Sequence, residues 1–158
     1  MKKLRKNKKG FTLVELVVVI AILAILASTA TVATIAILNN ARKTPVQDAA
    51  GNLKNQINLY FTMDDYKDTL TATGSNKGFV DYIKDSMPEI TVDTTAKTTV
   101  TAPNGDGIYL AVSKTSGLKS STWTAIVYTK YYKCTITCTY DSTNKSMGVP
   151  QVGAVEKI

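Results

Sequence analysis

The longest apolar segment of the chain runs from Phe11 to Leu38, and its only charged side chain is Glu15. The uncharged part, residues 16–38, would form a helix roughly 35 Å long at about 1.5 Å per residue. The hydrocarbon core of a bilayer is about 30 Å thick, so a helix of this length can cross it. The segment therefore predicts a membrane-spanning helix.

Basic residues are concentrated before this segment. Six of the nineteen lie within the first ten positions, and without them the formal net charge falls from +7 to +1. They are Lys2, Lys3, Arg5, Lys6, Lys8 and Lys9. Because basic residues that flank a span stay in the cytoplasm, we expect the N-terminus inside and residues 39–158 outside. The nearly neutral remainder makes a nucleic-acid-binding function an unfavoured interpretation.

Glu15 is unusual in such a segment, since an acidic residue at the bilayer centre costs about 2.5 to 3.5 kcal/mol, and less near an interface. No cation follows it within the apolar segment. Cleavage between Gly10 and Phe11 would remove the basic residues and create a new amine about one helical turn from Glu15. That amine could neutralise Glu15 of a neighbouring helix packed in a staggered register.

Two other interpretations of the segment are a cleavable secretory signal and an ordinary single-span anchor. Small residues at 27–33 fit a signal cleavage site. The apolar run, however, continues beyond them to Leu38, and neither interpretation explains Glu15.

The stretch "KKGFTLVELVVVIAILAILA" resembles the class III signal of type IV prepilins and pseudopilins. Glycine, phenylalanine, threonine, leucine and glutamate all fall at the expected offsets, at Gly10, Phe11, Thr12, Leu13 and Glu15. The resemblance implies cleavage after Gly10 by a prepilin peptidase, which also N-methylates Phe11. It further implies assembly into a helical filament, in which Glu15 pairs with the Phe11 amine of an adjacent subunit.

The chain departs from the family pattern at Val32, where many members have a proline. The whole apolar segment lacks both glycine and proline. Any local loosening of the helix would have to come from "STATVAT", residues 28–34, whose hydroxyl and β-branched side chains lower helix propensity.

The function implied by the resemblance is that of a structural subunit of a type IV pilus used for adhesion or motility. The implied partners are copies of the chain, the prepilin peptidase and N-methyltransferase, the assembly platform with its ATPase, and the cytoplasmic membrane before assembly. A minor pilin or a pseudopilin of a type II secretion or DNA-uptake system is the alternative, and an anchored binding module is a less favoured one. We expect no enzymatic activity and no cofactor.

The sequence predicts three parts: a cleaved leader at 1–10, a hydrophobic assembly helix at 11–38 and a head at 39–158. The expected fold is α+β, with the long helix continuing into an amphipathic half that packs on a small antiparallel sheet. The apolar face of that half comprises Val46, Ala50, Leu53, Ile57, Tyr60 and Phe61. Pro45 predicts either a bend or interruption of the helix, or a new helix with Thr44 as its N-cap.

The rest of the head is predicted as a loop at 71–78, a short helix in "FVDYIKDSM" stopped by Pro88, and three to five antiparallel strands. The strand candidates are "ITV", "KTTVTA", "GIYLAVSK", "WTAIVYT" and "YKCTITCTY". Turns are expected at 103–107, 116–121 and 141–148.

Cys134 and Cys138 are the only cysteines, and histidine is absent. Positions four apart in one strand lie roughly 13 Å apart, too far for a disulfide, and would be two buried free thiols. The alternative is a disulfide across a tight bend, which an exported protein permits. Two thiolates without other ligands are too few for a metal site.

Three weaker candidates remain in the head. The stretch "YTKYYK", residues 128–133, interleaves aromatic and basic residues, which favours a solvated strand face or a subunit contact over a nucleic-acid surface. Asp64 and Asp65 are interpreted as a charged helix end. Asn144 and Ser146 form a glycosylation sequon.

Overall fold

The computed structural model describes residues 10–71 and 77–158. The chain divides into two compact units, Met1–Asn40 and Ala41–Ile158. The leader predicted at 1–10 lies outside the described residues except for Gly10, and so does most of the loop predicted at 71–78. The fold is α+β and pilin-like, with a long N-terminal helix and a mostly antiparallel five-stranded sheet.

The first helix, α1, extends over Leu13–Thr62 and contains Pro45. Proline cannot donate a hydrogen bond to the carbonyl four residues earlier, which costs about 3 kcal/mol in a helix interior. The helix nevertheless continues, because apolar side chains that follow at once, including Val46 and Ala49, are buried. The predicted interruption is therefore wrong, and so is the alternative of a new helix capped by Thr44.

The C-terminal half of α1 packs on the sheet through one face. Its buried residues are Val46, Ala49, Ala50, Leu53, Ile57 and Tyr60. Phe61 is partly buried and packs against the same core. The spacing of three and four places these residues on one side of the helix, which confirms the predicted amphipathic half.

The second helix, α2, covers Phe79–Ser86 and confirms the predicted short helix. The Gly78 amide donates to Asp81 Oδ2 at 2.8 Å at its start. The helix ends at Ser86, and Met87 is its C-cap, one residue before Pro88. A side chain at Gly78 could not be accommodated, because its Cβ would lie 2.6 Å from the Thr71 backbone.

Seven strands follow. They are β1 (Ile90–Ala96), β2 (Ile108–Val112), β3 (Trp123–Tyr128), β4 (Tyr132–Cys138), β5 (Tyr140–Asp141), β6 (Ser146–Met147) and β7 (Gln151–Lys157). The main sheet has the order β1-β2-β3-β4-β7, and β5 pairs with β6 in a separate hairpin. Strands β1 and β2 are parallel, while the other neighbours are antiparallel.

The sheet corrects four details of the predicted layout. The β1–β2 pair is parallel rather than antiparallel. The stretch "KTTVTA", residues 97–102, is not a strand, whereas β7 was not predicted. The turn expected at 141–148 contains most of the β5–β6 hairpin.

The segment 97–107 covers part of the sheet face opposite α1. Ala111, Ile126 and Tyr128 are buried there, and Val100 and Tyr109 pack against them. The Tyr109 and Tyr128 rings have centroids 5.6 Å apart. Val100 of "KTTVTA" therefore packs on the sheet from a covering loop. Its contact with the sheet accounts for an apolar residue in a segment that forms no strand.

The end of α1 is held by a lysine from a distant loop. No basic residue lies in the last turn of the helix. Instead, Lys119 Nζ donates to the carbonyl oxygens of Met63 and Tyr66 and lies 4.8 Å from the centre of the Tyr60 ring. Burial lowers the pKa of Lys119. A cation is favourable at this position because the C-terminal end of a helix carries partial negative charge.

Candidate processing and assembly site

The predicted cleavage position lies in exposed, non-helical backbone. Gly10 and Phe11 precede α1 and are exposed, with 84% of Phe11 accessible. Apart from its chain neighbours, a Cβ added at Gly10 would meet no atom of the described residues within 4 Å. A protease needs an accessible substrate, and the bond between Gly10 and Phe11 is accessible and lies outside the helix within the described chain.

Thr12 and Glu15 form a capping box at the start of α1. The Thr12 amide and hydroxyl both donate to Glu15 Oε2, at 2.9 Å and 2.7 Å. The Glu15 amide in turn donates to Thr12 Oγ1 at 3.3 Å. Such a box satisfies two amides that have no partner within the helix. Sequence reasoning missed this contact, although the pattern threonine-x-x-glutamate before an apolar run is its signal.

The capping box changes the interpretation of Glu15. One of its oxygens already accepts two hydrogen bonds from its own chain. A carboxylate has about four acceptor positions, so it can still accept from a further donor such as an amine of another copy. The proposed pairing with the Phe11 amine is thus compatible with the cap.

The helical part of the first unit exposes a continuous apolar surface. Every large hydrophobic side chain between Leu13 and Leu38 is exposed. By length and composition, α1 contains a window that could cross a membrane, and none of that window is buried. Apolar area of this extent is stable only in lipid or against other proteins.

Hydroxyl side chains in the middle of this helix bond to its backbone. Ser28 and Thr29 donate to carbonyls three residues earlier, and Thr31 and Thr34 to carbonyls four residues earlier, at 2.7 to 3.0 Å. These bonds satisfy the hydroxyls without any partner outside the helix. They also offer the backbone carbonyls a second donor, which weakens and bends helices slightly.

Cys134 and Cys138 are both free and buried in β4. Together with Tyr132 and Ile136 they form a stripe that faces the core. Cys134 Sγ donates to the Gly153 carbonyl oxygen of β7 at 3.3 Å. Burial raises the pKa of both thiols, that of Cys138 to about 12. Neutral, buried thiols of this kind pack as small apolar side chains.

The weaker candidates of the head are distributed over several elements. In "YTKYYK", Tyr128 and Tyr132 are buried on opposite faces of the sheet, and Tyr131 is exposed. These aromatic side chains therefore do not form one stacking surface. Asp64 and Asp65 are exposed just after the end of α1.

Asn144 lies in the β5–β6 hairpin and is exposed. Its side-chain amide donates to Asp141 Oδ2 at 2.6 Å, and its backbone amide donates to Asp141 Oδ1 at 3.2 Å. The sequon asparagine therefore stabilises the hairpin turn. Across residues 10–71 and 77–158, no group of three or more His, Cys, Asp or Glu side chains is arranged to hold a metal.

Residues 5–31 match the family model of the prokaryotic N-terminal methylation motif. The segment is a type IV prepilin-like class III signal peptide. The matched segment contains Gly10, Phe11, the Thr12–Glu15 capping box and most of the exposed apolar helix. A signal of this class implies processing by a prepilin peptidase and entry into pilus-type assembly machinery. It also fits a membrane-anchored precursor that becomes part of a surface filament.

Searches of curated proteins and of solved structures found no significant match to the chain. The prepilin-like assignment therefore rests on the N-terminal segment. The head is described by its own geometry alone.

Proposed function

We propose that the chain is the precursor of a structural subunit of a type IV pilus, cleaved between Gly10 and Phe11 and N-methylated at Phe11. The match of residues 5–31 to the methylation motif carries this proposal. The exposed backbone at Gly10 and Phe11 and the helix that begins at Leu13 support it. In this proposal the chain consists of a leader at 1–10, an assembly helix at 11–38 and a head at 39–158.

Assembly in this proposal exchanges lipid for protein around the apolar helix. The side chains exposed between Leu13 and Leu38 are buried by neighbouring copies in the filament. Once the helix leaves the bilayer, burial against other helices is the only way to remove this surface from water. Glu15 of one copy accepts a hydrogen bond from the Phe11 amine of the next, which fixes the stagger of the helices.

Mass spectrometry of the mature N-terminus tests the proposal. Filaments sheared from the cell surface should contain a chain that begins with N-methylated Phe11. An N-terminus at Met1, or one near Ala30, would contradict the proposal and favour a plain anchor or a secretory signal. A processed chain that is absent from sheared filaments would indicate a minor pilin or a pseudopilin instead of a major one.

A variant at the cleavage position supplies the control. Gly10→Val should insert in the membrane but keep its leader, because the peptidase must accommodate the residue before the cut. Apart from its chain neighbours, no atom of residues 10–71 and 77–158 lies within 4 Å of a Cβ at that position, so we expect the substitution to leave the fold unchanged. Accumulation of the unprocessed chain would therefore report recognition by the peptidase and not misfolding.

A further inference from the structure

One end of the head carries a group of exposed and half-buried basic and aromatic side chains, which we call the basal surface. It is built around Arg42 of α1 and around Lys130 and Tyr131 of the turn between β3 and β4. The Arg42 guanidinium carbon lies 4.3 Å from the centre of the Tyr131 ring. Both residues line a shallow groove with Lys130, Pro45 and Asp106. Lys130 and Tyr131 are exposed, the latter by 40%.

Three further lysines lie near this end. Lys43 follows Arg42 in α1. Lys133 is the second residue of β4, and Lys157, at the end of β7, is paired with Tyr132. Acidic groups are fewer here. Glu156 lies 3.6 Å from Lys133 and offsets it, and Asp106 lies in the groove. Glu89 precedes β1 and also lies at this end, because Ile90 is paired with Ile108. Among the described side chains, five cations therefore stand against three carboxylates, and the surface is positively charged.

Along the chain, Arg42 of the basal surface follows closely after the predicted membrane span. Arg42 follows Leu38, the last residue of the apolar segment, by four positions. Four residues of helix correspond to about 6 Å. This is shorter than the Debye length, which is roughly 8 Å at physiological ionic strength, so lipid headgroups act on Arg42 with little screening.

We propose that the basal surface binds the anionic headgroups of the membrane in which the precursor is anchored. Arg42 and Lys130 contact headgroup phosphates, and Tyr131 lies at the boundary between headgroups and water. Basic residues close to a bilayer are attracted to anionic lipids, and tyrosine is enriched at this depth. Stacking on Tyr131 holds the Arg42 guanidinium in place, so less side-chain entropy is lost on binding. The inference rests on the proposed membrane-anchored precursor.

Lysine acylation tests the contact in the full chain, reconstituted at one copy per nanodisc. The discs contain either phosphatidylcholine alone or a mixture with phosphatidylglycerol. Acylation of Lys130 should fall about fivefold or more when the anionic lipid is present. Lys145, exposed in the β5–β6 hairpin, is the internal reference and should change less than about twofold. About 1 M salt should abolish the difference, because the Debye length is then only about 3 Å.

Two variants separate the basal surface from general charge. Arg42→Gln should remove most of the protection of Lys130, whereas Lys84→Gln, an exposed change in α2, should leave it intact. Equal acylation of Lys130 in both kinds of disc would overturn the inference, and so would an equal fall at Lys145. Protection that needs several copies per disc but no anionic lipid would assign the surface to a second copy of the chain instead.

The proposed function and this inference fail in different ways. A chain that enters neither kind of disc has no membrane anchor, which contradicts both. A chain that enters discs and is processed at Gly10 but shows no lipid-dependent protection contradicts only the lipid contact.

Discussion

The carboxylate of Glu15 accepts hydrogen bonds from both the amide and the hydroxyl of Thr12, at 2.9 Å and 2.7 Å. A residue interpreted as the partner of a neighbouring subunit is therefore also a cap of its own helix. The two roles require different chemical properties. Capping needs only a hydrogen-bond acceptor, which glutamine also provides, whereas pairing with a cationic amine needs the negative charge.

Replacement of Glu15 by glutamine and by valine separates these roles. Glu15→Gln keeps the capping box but removes the charge, so we expect normal membrane insertion and a filament yield lower by about tenfold or more. That factor corresponds to about 1.4 kcal/mol per contact. Glu15→Val loses both roles. It should insert in the membrane more easily than the parent but assemble no better than Glu15→Gln. Filament yield and membrane fraction are measured by shearing and immunoblotting.

Thr12 variants are the matched control for the cap. Thr12→Ser retains the hydroxyl that bonds to Glu15, whereas Thr12→Val removes it and should destabilise the helix start by about 0.5 to 2 kcal/mol. If Glu15→Gln assembles like the parent and Thr12→Val does not, the cap rather than the charge is the feature required for assembly.

Pro45→Ala should stabilise the protein. Alanine restores the hydrogen bond to the Ala41 carbonyl that proline cannot make, although it also loosens the unfolded chain. We expect a net gain of about 1 to 2 kcal/mol in the free energy of unfolding. The fluorescence of Trp123, which is 2% exposed, reports unfolding in detergent. Pro88→Ala, beyond the end of α2, gains no helical hydrogen bond and should lower stability by about 0.4 to 1 kcal/mol. A loss of stability in Pro45→Ala would contradict this account.

Lys119→Met should destabilise the head. Methionine keeps most of the side-chain length but cannot donate to the carbonyls of Met63 and Tyr66. Loss of hydrogen bonds that involve a charged group predicts a cost of about 1.5 to 3 kcal/mol in chemical denaturation. Lys114→Met is the control, because Lys114 donates only to the Ser121 hydroxyl among the hydrogen bonds described and should cost less than about 1 kcal/mol. Equal losses in the two variants would show that Lys119 does not hold the end of α1.

The two thiols should be unreactive in the native protein. At pH 8 we expect iodoacetamide to modify neither Cys134 nor Cys138 until denaturant is added, and then to modify both without a reductant. Mass spectrometry counts the modified thiols. A need for reductant would reveal a disulfide and restore the tight-bend alternative.

The raised pKa of the buried Cys138 thiol predicts that stability depends on pH. The pKa of this thiol is raised from 9.0 to about 12 by burial, so the neutral form is favoured in the folded state. Its contribution to stability is complete below about pH 9 and is lost as the pH rises towards 12. The fall in unfolding free energy over this range should be smaller in Cys138→Ala than in the parent.

Local patterns predicted much of the helical structure. The spacing of Val46, Ala50, Leu53, Ile57 and Tyr60 was sufficient to predict which face of α1 packs on the sheet. It did not predict that the helix passes through Pro45, because the burial that outweighs the proline penalty involves distant strands. The capping box was visible as threonine-x-x-glutamate, but a carboxylate within an apolar segment favoured an explanation by assembly.

The strands were predicted less completely, since strand pairing depends on distant partners. β7 has no regular alternation of apolar and polar residues and is largely exposed, so the residues 151–157 give no strand signal. The parallel β1–β2 pair is joined by residues 97–107 without a helix, a short connection for parallel strands. The threonines and Val100 give this connection the composition of a strand, although Val100 packs on the sheet from outside it.

The position of β7 has a consequence for biosynthesis. Among the described strands it is synthesised last, yet it pairs with the edge of β4, and its Gly153 carbonyl oxygen accepts the hydrogen bond from Cys134. Until residues 151–157 emerge, β4 has an unpaired edge open to nonnative pairing. The hairpin of β3 and β4 can form earlier because its contacts are local. A chain truncated before residue 151 would therefore have a sheet that is still open along β4, and it should bind chaperones more strongly than the full chain.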